Sequence, residues 1–101
     1  MTGPDNQLLT ETQRQAAAAE LPKWSFGQRL HRRFEFADFP SALAFMVRAG
    51  FAAERLNHHP NWSNVYNRVD VEIWSHDLGG VSRLCVELAK AMDDLRKSPA
   101  T

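Results

Sequence analysis

The spacing of apolar residues switches along this chain between the period of a β-strand and that of an α-helix, which limits the folds that the chain can adopt. From Leu30 to Phe36, apolar and polar residues alternate, as they do in a strand with one face in water. From Phe39 to Leu56, apolar residues recur at spacings of three and four, as on one side of a helix of about five turns. A strand and a long amphipathic helix must therefore follow one another.

The same pattern predicts two hairpins, one on each side of the long helix. Residues Trp24–Phe26 can pair with the first strand, with Gly27 and Gln28 as the turn. After the helix, Trp62–Tyr66 and Val69–Ser75 form a second pair of strands with alternating apolar residues.

Two shorter helices are predicted outside the hairpins. Thr10 and Gln13 have the spacing of a capping box in front of a helix over Gln15–Leu21. Pro22 ends that helix because proline has no amide hydrogen to donate. Ser82 leads into a last helix whose apolar residues recur at helical spacing. These residues are Val81, Leu84, Leu88, Ala91 and Leu95.

The predicted order of elements is therefore helix, two strands, helix, two strands, helix. This order favours an α+β fold, a four-stranded antiparallel sheet with helices packed on one face. We expect a single domain over residues 8–101, since a chain of 101 residues can enclose one core but not two. Residues 1–7 are polar and include Gly3 and Pro4, and we expect them to form a disordered tail.

The charge, cysteine content and hydropathy argue against several functional classes. Lysine plus arginine and aspartate plus glutamate number 12 each, so the sequence indicates no basic surface for direct nucleic-acid binding. The single cysteine, Cys85, cannot form an internal disulfide. The longest apolar run, Ala42–Val47, is far too short to span a membrane. With no apolar leader at its beginning, the chain is expected to be cytoplasmic.

Three of the four histidines lie near the ends of predicted elements. His58 and His59 precede Pro60, which forces the long helix to end, and His76 closes the last strand. Histidines gain and lose protons close to neutral pH, which suits acid and base catalysis. Any one of them is readily explained as a surface residue. Their convergence, with Glu54 one helical turn before His58, predicts a catalytic site.

Two other kinds of site compete with this hypothesis. His59, His76 and Asp77 are chemically suitable zinc ligands. However, adjacent side chains at a helix end diverge, and the sequence has no His-x-x-x-His or Cys-x-x-Cys pair, so we expect no metal. Cys85 lies in the apolar stripe of the last helix, where most cysteines are inert packing residues rather than nucleophiles.

The three tryptophans, Trp24, Trp62 and Trp74, are each expected mainly in the core or at an interface. An indole near the histidines could nevertheless stack on a flat heterocycle. Trp24 and Trp62 are therefore retained as candidate substrate-binding residues.

The histidines belong to a longer motif. It comprises Glu54-Arg55-Leu56-Asn57-His58-His59-Pro60, then Trp62, Asn64, Val65 and Tyr66, then Ser75-His76-Asp77 and Gly80. With the phenylalanine-rich strand and the long helix, this motif resembles the signature of the pterin-4a-carbinolamine dehydratases, over most of the chain from Trp24 onward. A double histidine before proline, followed at fixed spacing by a tyrosine and a third histidine, is a specific pattern. The implied fold is the one predicted above.

The resemblance implies roles for the site residues. His58 and His76 would form the acid and base pair: one protonates the leaving 4a-hydroxyl, and the other accepts the proton of ring nitrogen N5, giving quinonoid dihydropterin and water. His59 would orient the substrate, and Glu54 would orient or tune a histidine. No metal or organic cofactor is implied, because the substrate nitrogen itself expels the hydroxyl.

Further residues of the motif are implied to bind the pterin or to support the histidines. Pro60 and Trp62 would shape the pterin pocket. Asn57 can accept a hydrogen bond just before the two histidines. Ser75 and Asp77 flank His76 and complete the supporting set.

The sequence departs from the family pattern at one position. Members commonly carry an aspartate in the last helix where this chain has Cys85. If that aspartate mainly braces the start of the helix, catalysis would survive its loss. If it supports a histidine, activity would fall.

A non-enzymatic function is the alternative that the resemblance leaves open. Animal members of the family also act as dimerisation cofactors of a homeodomain transcription factor, and one fold can serve both functions. The presence of all three histidines, which a scaffold would not need, favours a hydro-lyase of pterin recycling. The aromatic content and the uncovered sheet edges further predict a homodimer or homotetramer.

Overall fold

The chain forms three helices and four strands in the predicted order, in a computed structural model that describes residues 6–97. The helices are α1 (Glu11–Glu20), α2 (Phe39–Leu56) and α3 (Arg83–Lys97). The strands are β1 (Ser25–Phe26), β2 (Leu30–Glu35), β3 (Asn61–Val65) and β4 (Arg68–Ile73). The predicted α+β fold is confirmed.

The sheet is antiparallel throughout and has the strand order β1-β2-β4-β3. Its two central strands are in a register that places Phe34 opposite Val69 and Leu30 opposite Ile73. These four residues and Val71 are fully buried, whereas the residues between them on the two strands are mostly polar and partly or fully exposed. The helices therefore cover one face of the sheet, as predicted from the alternation.

The core lies between that face and helices α2 and α3. Helix α2 buries small residues, Ala42, Ala49 and Ala53, so that α3 can approach it closely. The ring of Phe45 packs against Phe34, with the ring centroids 4.6 Å apart. Phe39, the first of the apolar residues predicted to line the buried side of α2, is not buried: at the first turn of the helix it is 42% exposed.

Short-range signals set the starts of α1 and α2. Thr10 accepts a hydrogen bond from the backbone of Gln13, whose side chain in turn accepts one from the backbone of Thr10, so the predicted capping box is present. Asp38 caps α2 by accepting from the backbone N–H of Ser41 at 2.9 Å. Hydrogen bonding from the Ser41 side chain, and then from this N–H, lowers the pKa of the Asp38 carboxyl.

The tail predicted over residues 1–7 extends two residues too far. The side-chain oxygen of Asn6, which is buried, accepts a hydrogen bond from the backbone of Leu84 at 3.0 Å. The carbonyl of Gln7 accepts one from the backbone of Arg83 at 3.1 Å. Both residues satisfy free N–H groups in the first turn of α3, which holds them on the domain. The rest of the predicted tail, residues 1–5, lies outside the described residues, as do residues 98–101.

Within residues 6–97, none of the helices combines the length and the apolar character needed to cross a membrane.

Candidate active site

The end of helix α2 directs the two adjacent histidines to different environments. Asn57, at the C-cap, has a left-handed backbone with φ 50°, a conformation that asparagine tolerates better than most residues. The backbone N–H of His58 then turns back to the carbonyl of Ala53 at 3.0 Å. As a result His58 is buried, whereas His59 is exposed.

All three histidines of the motif line one hollow of about 290 Å³. The hollow lies where the loop after α2 meets the segment after β4. Its lining comprises Asn57, His58, His59, Pro60, Asn61, Trp74, Ser75, His76 and Asp77. The predicted convergence of the histidines is thus what the structure shows, although their side chains differ in exposure.

His58 is the buried member of the three, with 9% of its surface exposed. Burial is the largest cause that lowers the pKa of His58, because a charged imidazolium would lose its hydration there. Positive charge on His59 and on His76 lowers the pKa of His58 further. His58 is therefore a neutral imidazole at neutral pH.

The Nε2 atom of His58 lies 3.1 Å from Sγ of Cys85 on helix α3. Cys85 is fully buried, and burial raises the pKa of its thiol. The same sulfur accepts a hydrogen bond from the backbone N–H of Ser82 at 3.4 Å and lies 3.4 Å from the Ser82 hydroxyl. Cys85 is a buried packing residue, as predicted, and it also contacts His58, which the apolar pattern of α3 does not reveal.

His59 contacts Glu54, one turn earlier on α2. Its Nε2 atom lies 2.9 Å from a carboxylate oxygen of Glu54, and both side chains are more than half exposed. An exposed pair of this kind contributes little to stability. The contact places Glu54 beside the His59 ring, and the orienting role of Glu54 stays a prediction.

A short hydrogen-bonded loop presents His76. The backbone N–H of Ser75 donates to the carbonyl of Gly80 at 2.8 Å, and that of Gly79 donates to the carbonyl of Ser75 at 2.8 Å. The Ser75 hydroxyl, which is buried, accepts from the backbone of Leu78 at 3.2 Å. Gly79 has φ 73°, which favours glycine there. Ser75 therefore stabilises the loop through its hydrogen bonds, while His76 and Asp77 remain exposed at the hollow.

Trp74 is the tryptophan that lines the hollow. Its ring lies 4.4 Å from that of His76, centroid to centroid, with an angle of 41° between the planes. The guanidinium of Arg29 lies 3.9 Å from the Trp74 ring centroid and is itself held by Glu72 at 3.1 Å. From the sequence, Trp74 is expected in the core or at an interface. Its position two residues before His76, on the same face of the predicted strand, is the signal that could have placed it at the site.

The two tryptophans chosen from the sequence as candidate binding residues do not line this hollow. Trp24 is buried in the core at 5% exposure, and its indole N–H donates to Asp93 on α3 at 2.8 Å. Trp62 lies opposite Val71 in the sheet and packs against the core. Within residues 6–97, Trp24 thus joins the sheet side of the core to α3, and Trp62 packs against the core away from the three histidines.

No group of three histidine, cysteine, aspartate or glutamate side chains within residues 6–97 is arranged to hold a metal ion. The candidate zinc ligands His59, His76 and Asp77 share the hollow but do not form such a group. What the hollow does offer is one buried neutral imidazole, two exposed imidazoles and an indole. These groups can bind a flat polar heterocycle and transfer protons to and from it.

Comparison with known proteins extends over nearly the whole domain. The family model described as pterin 4 alpha carbinolamine dehydratase matches residues 7–95. A protein of Synechococcus sp. (strain WH7803), provisionally named a pterin-4-alpha-carbinolamine dehydratase, is 49% identical over 89 residues, which cover 87% of this chain and 96% of that protein. A protein of Mesorhizobium japonicum with the same provisional name is 51% identical over 81 residues, 77% of this chain and 83% of its own.

A solved structure shows the same fold. A crystal structure from Brucella melitensis, described as a transcriptional coactivator/pterin dehydratase, superposes with a TM-score of 0.85 at 38% identity. The match covers 89% of this chain and 99% of the other. Together with the match of the family model, this likeness shows that the chain belongs to the pterin 4 alpha carbinolamine dehydratase family.

Proposed function

We propose that this protein is a 4a-hydroxytetrahydropterin dehydratase that eliminates water by histidine acid and base catalysis. The observation that carries this proposal is the single hollow lined by His58, His59 and His76, one of them buried and two exposed. Its volume of about 290 Å³ is close to the lower end of the range for ligand pockets, about 300 Å³, and suits one small heterocycle.

The reaction needs two proton transfers on a bicyclic substrate. The bond between C4a and the hydroxyl oxygen breaks as an acid protonates that oxygen, which leaves as water. The electron pair of N5 forms the new double bond to C4a, and a base takes the proton from N5. The products are quinonoid dihydropterin and water, so atoms and charge balance with no oxidant and no reductant.

The different environments of the histidines favour a division of roles. His58 is neutral because its pKa is lowered by burial and by the other two histidines, so it is suited to accept the N5 proton. His76 is exposed, can carry a proton from solvent and is suited to act as the acid. His59, held by Glu54, would orient the substrate, and Asn57, Pro60, Ser75 and Asp77 would shape or brace the hollow.

A direct assay tests this proposal. The purified protein is treated exhaustively with a chelator and then mixed with freshly prepared 4a-hydroxytetrahydropterin, and the appearance of quinonoid dihydropterin is followed by absorbance. We expect rapid dehydration that chelation does not change, since the residues of the hollow supply the acid and base. No acceleration over buffer would refute the proposal, and activity lost with the metal and restored by zinc would replace it with a metal mechanism.

A non-enzymatic interaction module is the second candidate. The Brucella melitensis relative is described as a transcriptional coactivator as well as a pterin dehydratase. In this chain α2 carries an apolar row on its outer side: Phe39, Leu43, Val47 and Phe51, all exposed. Such a row on a lone subunit favours association with another chain, and we propose a homodimer or homotetramer.

Direct nucleic-acid binding remains disfavoured by the equal numbers of acidic and basic residues. The single Cys85, reduced and buried, suits the cytoplasm, where we propose that the protein acts in pterin recycling.

A further inference from the structure

The contact between Cys85 and His58 can have either direction, and the groups around the sulfur favour one of them. The sulfur has one proton to donate and lone pairs to accept with. The backbone N–H of Ser82 can only donate, so it occupies one lone pair of the sulfur at 3.4 Å. The Ser82 hydroxyl, also 3.4 Å from the sulfur, can accept the thiol proton. A second lone pair then faces Nε2 of His58 at 3.1 Å.

We infer that Cys85 is a positioning residue: its sulfur accepts the Nε2 proton of His58 and so keeps the other ring nitrogen, Nδ1, unprotonated for the substrate. This inference rests on the proposed dehydratase function, for which His58 must accept a proton. A base needs its free nitrogen toward the substrate, and the partner on the other nitrogen sets which one that is. Cys85 performs this role from α3, 27 residues further along the chain.

The burial of the contact makes it effective. Cys85 is fully buried and His58 nearly so, so water does not compete for Nε2. Burial raises the pKa of the thiol, so the sulfur stays uncharged and His58 is not drawn into an ion pair. A neutral thiol thus orients the imidazole and leaves its pKa low, whereas a carboxylate at this position would stabilise the imidazolium.

Nitrogen NMR of histidine-labelled protein tests the direction of the bond without any substrate. The His58 signals are assigned by their loss in His58→Gln. We expect the wild-type imidazole to be neutral with its proton on Nε2. A proton on Nδ1 would overturn the inference, because the thiol would then be the donor. The position of the proton is measured without any dehydratase activity. A failure of this inference can therefore be distinguished from a failure of the proposed function.

Variants test the consequence for the reaction. Cys85→Ala removes the acceptor, while Val86→Ala removes a comparable buried side chain from the next position of α3, which lines a different hollow. We expect kcat in Cys85→Ala to be about tenfold lower than in Val86→Ala with KM little changed, since a misplacement of about 1 Å can cost about a hundredfold.

Two further variants keep the inference falsifiable if Cys85→Ala unfolds. Cys85→Ser, whose hydroxyl can still accept from Nε2, should keep a kcat close to that of Val86→Ala. Cys85→Asp should raise the pKa of His58 measured by NMR, because a carboxylate stabilises the imidazolium. Equal kcat in Cys85→Ala and Val86→Ala, or an unchanged His58 pKa in a folded Cys85→Asp protein, would show that Cys85 does not act through His58.

Discussion

Glu54 and His59 face each other across the C-terminal turn of α2, with a carboxylate oxygen of Glu54 2.9 Å from Nε2 of His59. The contact bridges the left-handed Asn57, so the helix end and the exposed histidine form one unit. This arrangement separates the orientation of His59 from that of the buried His58, which contacts α3 instead.

Loss of this contact should weaken substrate binding rather than the chemical step. We expect His59→Ala and Glu54→Gln each to raise KM by about two- to tenfold, the value of a single hydrogen bond, with a smaller change in kcat. Steady-state kinetics measure both constants. Glu87→Gln is the control, because Glu87 is a carboxylate on α3 that pairs with Arg83 outside the hollow. A fall in kcat at constant KM would instead make His59 a catalytic group.

The buried state of His58 predicts how stability depends on pH. Its pKa is lowered in the folded protein, so below its usual value of 6.5 the unfolded chain binds a proton that the folded chain resists. The stability that neutral His58 contributes is therefore complete above pH 6.5 and is lost as pH falls toward its lower folded-state pKa. Urea unfolding of the wild type and of His58→Gln on both sides of that pH measures the difference.

We expect His58→Gln to lose less stability on acidification than the wild type. His31→Gln removes an exposed histidine from the sheet, and this variant should lose as much stability on acidification as the wild type. Identical pH dependence in His58→Gln and the wild type would mean that His58 is hydrated and not buried.

Trp74 should contribute to pterin binding through its ring. Substitution by alanine removes the surface that packs on His76 and is expected to raise KM by about two- to tenfold, the usual value of an aromatic contact. Trp74→Phe keeps a ring at the same place and should restore most of the affinity. If Trp74→Phe and Trp74→Ala behave alike, the ring does not stack on the substrate.

The exposed apolar row on the outer side of α2 should be buried in a contact between subunits. Sedimentation at micromolar concentration is expected to give at least twice the chain mass of 11.5 kDa. Phe51→Glu places a charge on the most exposed residue of the row, at 66%, and should dissociate the assembly. Gln15→Glu adds the same charge to an exposed position of α1 and should leave it intact. A wild-type monomer would refute the assembly, and an assembled Phe51→Glu variant would assign it to the sheet edges instead.

The order of elements could be read from the sequence because periodicity, caps and prolines act over a few residues. Alternation in β2 and the spacing in α2 need no knowledge of what packs against them. The exposure of Phe39 was missed because a helical pattern does not reveal which apolar residues the single subunit leaves uncovered.

The convergence of the histidines and the contact of one of them with Glu54 were predicted, whereas the contact of His58 with Cys85 was not. His58 and His59 are marked by Pro60 and His76 by its motif, whereas the contact of Cys85 with His58 depends on how α3 lies across α2. Trp24 and Trp74 are equivalent as residue types, and their tertiary contacts show that one packs in the core and the other beside His76. Tertiary packing decided both questions.

The dehydration rate of the double variant His58→Ala, His76→Ala tests the catalytic role of the histidines most directly. Each single change should lower the rate by about a hundredfold to ten-thousandfold, and the double variant should approach the rate in buffer. His31→Ala, a histidine outside the hollow, should retain wild-type activity. A double variant that folds and dehydrates the substrate as fast as the wild type would contradict histidine catalysis in this protein.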